Sequence, residues 1–333
     1  MTKRRSTKIP TRELLAALTE PETSLPAALL RRLSDISDED FALYQDIWRD
    51  VPVERRRLLM SRLAEAVETD FEVDYERVAT YGLEDDDPTV RMHAIDALFI
   101  HTDVITLRHM IRMMELDEDE GVRAKATSAL GRFVLAGELG ELDERQAGMA
   151  VEALLEVLGD LNESPEVRRR ALESFANSSR DEVASYIEEA LEDPNPHMQV
   201  SALYAMGRSG DEHWGPHILD ALESPTPELR YEAARAAGEL TLLDAVPRLA
   251  EMTRERDREI KEAAIWALGE IGGNKATRAL MRLLKSDPDL DDELVSSIED
   301  ALNMAALGAG DFAMYLLEHV DEVDPVPDDE DEA

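Results

Sequence analysis

Apolar side chains recur along most of the chain with the spacing of one face of an α-helix. Each copy of the pattern starts at an aliphatic residue and carries small or aliphatic residues about four, seven and eight positions later, which fall within roughly a quarter turn. The seven copies start at Val90, Val122, Val167, Met198, Leu229, Ile260 and Leu294. Few stretches show the strict alternation of a half-buried strand, so the pattern predicts an all-helical protein.

The copies return at a nearly constant interval. Their first residues are 32, 45, 31, 31, 31 and 34 positions apart, and three equal spacings in a row indicate an internal repeat. Prolines and acidic residues precede several copies, as in Ser164-Pro165-Glu166, which suits a helix start. A second apolar segment fills each interval, for example residues 183–191, 216–222, 247–252 and 276–284. One repeat is therefore predicted to be a pair of helices.

These copies resemble HEAT repeats, in the short form found in the phycocyanobilin-lyase-like HEAT family, over residues 80–310. The resemblance implies an all-α fold, a right-handed α-α superhelix (alpha solenoid) of about seven to nine helix pairs. It implies no single function, because this class contains lyase components and many general binding scaffolds. Residues 11–80 have helical periodicity without a clean copy and are predicted to be an N-terminal cap of degenerate repeats, followed by the solenoid at residues 81–320.

Three segments depart from the repeat. Residues 1–10 contain four basic side chains and no acid, and residues 321–333 contain eight acids, so we expect a disordered basic arm and a disordered acidic tail. The interval between residues 131 and 162 is 14 residues longer than 31, and residues 136–143 are predicted to form an extended loop before a helix at 146–158. Such an insertion either marks a working face or is a tolerated surface insertion.

The charge of the chain limits its partners. Acidic residues number 74 against 36 Lys plus Arg, a formal net charge of −38, which repels nucleic acid and anionic membranes and favours a basic or neutral protein or peptide. Only six of the basic residues are lysine, so adaptation to a salty cytoplasm is an alternative source of the acidity. The basic first residues lack the apolar stretch of a signal peptide and no apolar run would span a membrane, so we expect a cytoplasmic protein.

Catalytic and metal-binding signatures are absent from the sequence. The chain has no cysteine, no glycine-rich phosphate loop and no His-Glu dipeptide of the kind that holds iron in HEAT-like hydroxylases. His213 and His217 are four apart, but Pro216 between them indicates a helix start rather than a metal site. We therefore expect neither an enzyme nor a cofactor or metal site.

A ladder of charged and polar side chains accompanies the copies. The first position of the ladder is five residues before the aliphatic residue that starts each copy, and the second position directly follows that residue. In HEAT repeats such residues bind the turn and the neighbouring repeat, so the resemblance implies a structural role. The first set is Asp85, Asp117, Asn162, Asp193, Ser224, Glu255 and Asp289, and the second is Arg91, Arg123, Arg168, Gln199, Arg230 and Lys261.

The candidate binding site lies on the helix face opposite the buried positions. The second and sixth residues after the aliphatic point away from the core, and the resemblance places these helices on the concave side of a solenoid. There the sequence has Tyr204, Tyr231, Arg235 and Trp266, residue types that concentrate binding energy, and Tyr231 and Arg235 are one turn apart and able to stack. The alternative is that these rings pack between neighbouring helices.

The function predicted from these features is a non-catalytic protein- or peptide-binding scaffold that uses the concave groove. Two alternatives stay open: a bilin-lyase-type component that handles a tetrapyrrole in the same groove, and a regulatory subunit of a larger assembly. The sequence does not identify the partner or the oligomeric state.

Overall fold

The computed structural model describes residues 10–20, 24–70, 72–286 and 290–309. Within these ranges the chain forms eighteen α-helices and no strand, which confirms the all-α prediction. The predicted acidic tail at 321–333 and all but the last residue of the predicted basic arm at 1–10 lie outside the described residues. The chain divides into two compact units, Met1–Ser178 and Ser179–Ala333, here called unit 1 and unit 2.

Unit 1 contains ten helices, and α4, α6, α8 and α10 pack side by side as one layer, each against its neighbour in this series. Aspartate or serine side chains accept backbone N–H groups at the starts of six of the ten, for example Asp119 from Val122. The helices are α1 (Thr11–Ala16), α2 (Ala27–Leu33), α3 (Asp38–Trp48), α4 (Val53–Thr69), α5 (Glu76–Gly82), α6 (Pro88–Ala97), α7 (Val104–Leu116), α8 (Glu120–Glu138), α9 (Glu144–Gly159) and α10 (Pro165–Phe175).

Unit 2 contains four helix pairs, each made of a first helix packed on the second helix that follows it. The second helices carry the repeat pattern and contact one another in order, so they form a continuous layer. The pairs are α11 (Glu182–Leu191) with α12 (Pro196–Ser209), α13 (Gly215–Ala221) with α14 (Pro227–Glu239), α15 (Val246–Met252) with α16 (Arg258–Ile271), and α17 (Gly273–Ser286) with α18 (Asp292–Ala309). This arrangement is the predicted stack of helix pairs.

The glycine that closes the repeat pattern sets how closely the second helices approach. A Cβ atom at Gly207 would lie 2.9 Å from the Cα of Ala236, and one at Gly238 would lie 2.9 Å from the Cα of Ala267. A Cβ at Gly269 would meet Ala301 in the same way. Real Cβ atoms do not approach backbone this closely, so glycine is needed here for helix contact.

The alanine four residues into each copy is predicted to be buried where helices meet, and the structure confirms this. All six are fully inaccessible: Ala94, Ala126, Ala171, Ala202, Ala233 and Ala264. Replacing Ala233 with leucine is therefore expected to overpack the contact around α14 and to cost about 1–3 kcal/mol of stability, measured by urea unfolding. An Ala233→Leu variant as stable as the parent protein would contradict this helix face.

The charged ladder ties its own turn to the neighbouring repeat at Arg91 and Arg230, as the resemblance implies, whereas Arg123 pairs with Glu163 and not with the ladder residue Asn162. Arg91 donates to the backbone carbonyl of Asp85 at the turn before its own helix and to both carboxylate oxygens of Asp117 in the next repeat, at 2.8 and 2.7 Å. Arg230 repeats this geometry in unit 2, with the carbonyl of Ser224 and the carboxylate of Glu255. These side chains hold consecutive repeats together and are not available as binding residues.

The long interval between residues 131 and 162 is not the extended loop that the sequence suggested. Helix α8 continues through residues 136–138, and the turn before α9 is only Leu139–Asp143. The apolar periodicity explains the difference, because Phe133, Val134 and Ala136 are buried and extend the packed face of α8 by a further turn. The additional residues therefore lengthen two helices.

Candidate functional site

A groove of about 650 Å³ lies on the second-helix layer of unit 2, along α14, α16 and α18. Side chains from three successive second helices reach the groove, because the repeat places equivalent positions of these helices on the same outward face. Its aromatic and apolar lining includes Tyr231, Trp266 and Met304, and Met304 is 48% exposed. An exposed methionine beside two rings offers a deformable apolar contact surface.

Carboxylates dominate the charge of this groove. Glu259, Glu262, Glu270 and Asp300 line it, and Arg235 is the one basic residue of the lining. Glu262 is partly neutralised by Arg258, whose Nε donates to it at 2.6 Å. The groove therefore carries a net negative charge beside an apolar surface, which suits a ligand that is both cationic and apolar.

Three of the four site residues predicted from the sequence line the groove together: Tyr231, Arg235 and Trp266. Tyr204, on α12, is also partly accessible but is not part of the groove lining. Arg235 was expected to stack on Tyr231. It instead contacts the next second helix, α16, where its guanidinium carbon lies 4.3 Å from the ring centroid of Trp266. This cation–π contact bridges α14 and α16.

Trp266 packs between helices and is also partly accessible, so its burial does not separate the two alternatives that the sequence left open. Its ring packs on α14, where a Cβ at Gly238 would lie 2.7 Å from its Cζ3 atom. It is nevertheless partly accessible and lines the groove. The glycine at position 238 thus makes room for the ring between the helices while leaving part of it at the surface.

Glu239 anchors the arginines beside the groove. Its carboxylate lies 4.0 Å from Arg235 and 3.8 Å from Arg208. Burial raises the pKa of Glu239 above its ordinary value, and the two arginines oppose this shift. Arg235 is thus held between a carboxylate on its own helix and the ring of Trp266.

Three acidic residues and the exposed methionine of the groove lie outside the second and sixth positions of the clean copies, so the sequence pattern did not predict them. Asp300 is the sixth position of the worn copy on α18. Glu270 and Met304 are the tenth positions on α16 and α18, one helical turn beyond the sixth, and Glu259 directly precedes the aliphatic of its copy. Extending the same face by one turn and into the worn copy would have found three of them.

His213 and His217 are exposed at the surface, and their rings lie against Trp214. The ring of His213 lies 3.9 Å from that of the buried Trp214, and the ring of His217 lies 5.6 Å from it. His213 Nδ1 is also 2.7 Å from a carboxylate oxygen of Asp211. Among the described residues, the one group of three His, Asp or Glu side chains close enough to share a cation lies in unit 1 and does not include them.

Comparison with known families identifies the repeat. The sequence-family model described as HEAT repeats matches residues 136–213 and 215–303, which together make up half of the chain. The chain belongs to the HEAT repeat family. HEAT repeat folds are generally non-enzymatic and support scaffold or binding roles, in agreement with the coarse function expected from the sequence.

Several solved structures are similar to this HEAT repeat protein. The complex of CpcE and CpcF of phycocyanin lyase from Nostoc sp. PCC7120 matches with 20% identity and a TM-score of 0.44, over 69% of this chain and 94% of that chain. The Kap95:Nup1 complex matches with 15% identity and a TM-score of 0.49, over 91% of this chain and 41% of that chain. No curated protein sequence matches the chain. Identities this low give no information on ligand or partner.

Within the described residues, no helix of this HEAT repeat protein is long and apolar enough to cross a membrane.

Proposed function

We propose that this HEAT repeat protein is a non-catalytic scaffold that binds a basic peptide or protein segment in the groove of unit 2. The observation that carries the proposal is the composition of that groove: two rings and an exposed methionine beside four carboxylates, with one arginine. An apolar side chain of the partner would pack on Trp266, on the middle helix, with Tyr231 and Met304 on the second helices to either side. Lys or Arg side chains flanking it would face the carboxylates.

The charge of the groove supports a cationic partner more strongly than the charge of the whole chain does. The overall charge of −38 would attract any basic molecule, whether or not it fits a site. In the groove, by contrast, Glu270 and Asp300 lie close to an apolar surface, where a ligand excludes water and strengthens the attraction. A specific partner should therefore need both its basic residues and its apolar residue.

A peptide titration tests this proposal. The probe is a short synthetic peptide with one central leucine flanked by lysines, and its affinity is measured by isothermal titration calorimetry. Asp300→Asn and Glu270→Gln are each expected to weaken binding by about two- to fivefold, as exposed ion pairs contribute up to about 1 kcal/mol. Binding should also weaken as salt concentration rises.

Glu299→Gln is the matched control, because Glu299 neighbours Asp300 on α18, is also exposed and does not line the groove. Its affinity for the peptide should equal that of the parent protein. A peptide with the leucine replaced by glycine should bind more weakly to the parent protein than the leucine peptide does. Equal losses for Asp300→Asn and Glu299→Gln would show general attraction to an acidic surface and would overturn the proposal.

A further inference from the structure

Asp74, Glu76 and His101 form a second cluster of polar side chains, in unit 1, that the binding groove does not involve. One ligand atom from each residue lies within 4.8 Å of those of the other two. Asp74 precedes α5, Glu76 begins it, and His101 lies in the turn between α6 and α7. Three elements of the chain therefore bring two carboxylates and one imidazole to a single point.

The imidazole of His101 has a nitrogen that the protein does not satisfy. Its side chain is 15% exposed, and Nε2 is buried without a hydrogen-bond partner. Nε2 nevertheless lies 3.3 Å from Oδ1 of Asp74, at an angle that does not make a hydrogen bond. A buried nitrogen without a partner is costly unless a proton or a cation occupies the space beside it.

Backbone contacts fix the position of Asp74. Its N–H donates to Oγ of Ser34 at 3.0 Å, and its carbonyl accepts the N–H of Asp35 at 2.9 Å. Its Oδ1 also accepts the N–H of Glu76 at 2.8 Å, which holds the carboxylate at the start of α5. The cluster is therefore built on a loop that is held from both sides, as a preorganised ligand set requires.

Arg77, which directly follows Glu76, has its polar contacts with other residues. Arg77 donates to the carbonyl of Ile36 at 3.0 Å and pairs with Asp38 at 2.8 Å. Its guanidinium also lies over the ring of Phe41, 4.5 Å from the centroid. The guanidinium of Arg77 is thus engaged at the start of α3, and no hydrogen bond or ion pair joins it to Asp74 or Glu76 among the contacts of the described residues.

We propose that Asp74, Glu76 and His101 bind a divalent transition-metal cation of the Zn²⁺ class. One imidazole nitrogen and two carboxylate oxygens suit such an ion, with water completing its coordination. Zinc bonds of about 2.0–2.2 Å place neighbouring ligand atoms about 3–3.5 Å apart, which agrees with the 3.3 Å between Nε2 and Oδ1. The ion would join the turn after α6 to the start of α5 and, through Asp74, to residues 34 and 35.

These three ligands form no local sequence motif, so no metal site was expected from the sequence. His101 is 25 residues from Glu76, and only the packing of α5 and α6 brings them together. The pair of Asp211 and His213 in unit 2 provides a contrast. It has a similar His–carboxylate contact, at 2.7 Å, but among the described residues no third His, Asp or Glu ligand atom lies within 4.8 Å of both.

Zinc titration of chelator-treated protein tests the site. Calorimetry is performed in an excess of Mg²⁺, which occupies weak sites on the acidic surface, and one tight Zn²⁺ site per chain is expected. Glu76→Gln and His101→Ala should each weaken it tenfold or more. His213→Ala is the matched control and should leave the Zn²⁺ affinity unchanged.

Glu76→Gln keeps the test decisive if His101→Ala fails to fold, because the Glu76 side chain takes no part in the contact between His101 and Asp74. Circular dichroism of each variant shows that the helices are intact. Absence of a tight Zn²⁺ site in the parent protein would mean that Asp74, Glu76 and His101 are neighbours without a ligand, and would overturn the proposal. An affinity unchanged by Glu76→Gln, or lowered equally by His213→Ala, would overturn it as well.

Discussion

Replacing Asp85 with alanine is expected to destabilise the protein by about 3 kcal/mol or more. The Asp85 side chain is 1% exposed, accepts the indole N–H of Trp48 at 2.8 Å and pairs with Arg56. Its other oxygen accepts the N–H of Asp87 at the turn before α6. Alanine would leave the Trp48 indole and the Arg56 guanidinium without their acceptor in a largely buried setting, which costs more than the net value of the bonds.

Asp86→Ala is the matched control for this prediction. Asp86 is the next residue and is exposed, and its backbone carbonyl, which accepts from Arg91, is retained in the variant. Urea unfolding followed by circular dichroism should show a large loss of stability for Asp85→Ala and a change within about 0.5 kcal/mol for Asp86→Ala. Similar stabilities of the two variants would show that the ladder contributes little to holding the repeats together.

The two tryptophans of unit 2 are expected to respond in opposite ways. Trp214 is 1% exposed and lies on the first-helix side, away from the groove, so Trp214→Ala should cost about 3–5 kcal/mol of stability. Trp266 is partly accessible, so Trp266→Ala should cost less stability but should weaken binding of the lysine–leucine peptide by about 2 kcal/mol or more.

Both variants are compared under conditions in which each remains folded, with urea unfolding for stability and calorimetry for peptide affinity. The result predicted is a crossed pattern: the larger stability loss for Trp214→Ala and the larger affinity loss for Trp266→Ala. If Trp266→Ala destabilises the protein as much as Trp214→Ala and leaves peptide affinity unchanged, the ring of Trp266 is a packing residue only.

The repeat pattern was sufficient to predict the fold because it records which positions meet a neighbouring helix. The six alanines and the closing glycines are small because second helices contact one another closely at these positions. Small residues therefore recur at fixed positions of each repeat. The ladder was predictable on the same grounds. The course of the chain around residue 136 was not, because small residues and glycine occur both in loops and in tightly packed helices.

The candidate sites show where sequence reasoning stops. Tyr231, Arg235 and Trp266 follow the helical period and could be predicted as neighbours, whereas the contact of Arg235 with Trp266 depends on the space that Gly238 leaves. The positions of Asp74, Glu76 and His101 do not follow the helical repeat, so no sequence pattern indicates that they form a cluster. It depends on the turns before α5 and after α6, whose geometry comes from local hydrogen bonds that the repeat pattern does not encode.

Photo-crosslinking tests the peptide-binding role of the groove most directly. The lysine–leucine peptide carries a photoreactive group in place of its leucine, and mass spectrometry locates the crosslinked residues. Crosslinks are expected on the groove-facing residues of α14, α16 and α18, above all Trp266, Tyr231 and Met304, and unlabelled peptide should suppress them. Crosslinks spread over acidic surfaces in both units, or concentrated on α11, α13 and α15, would contradict this role.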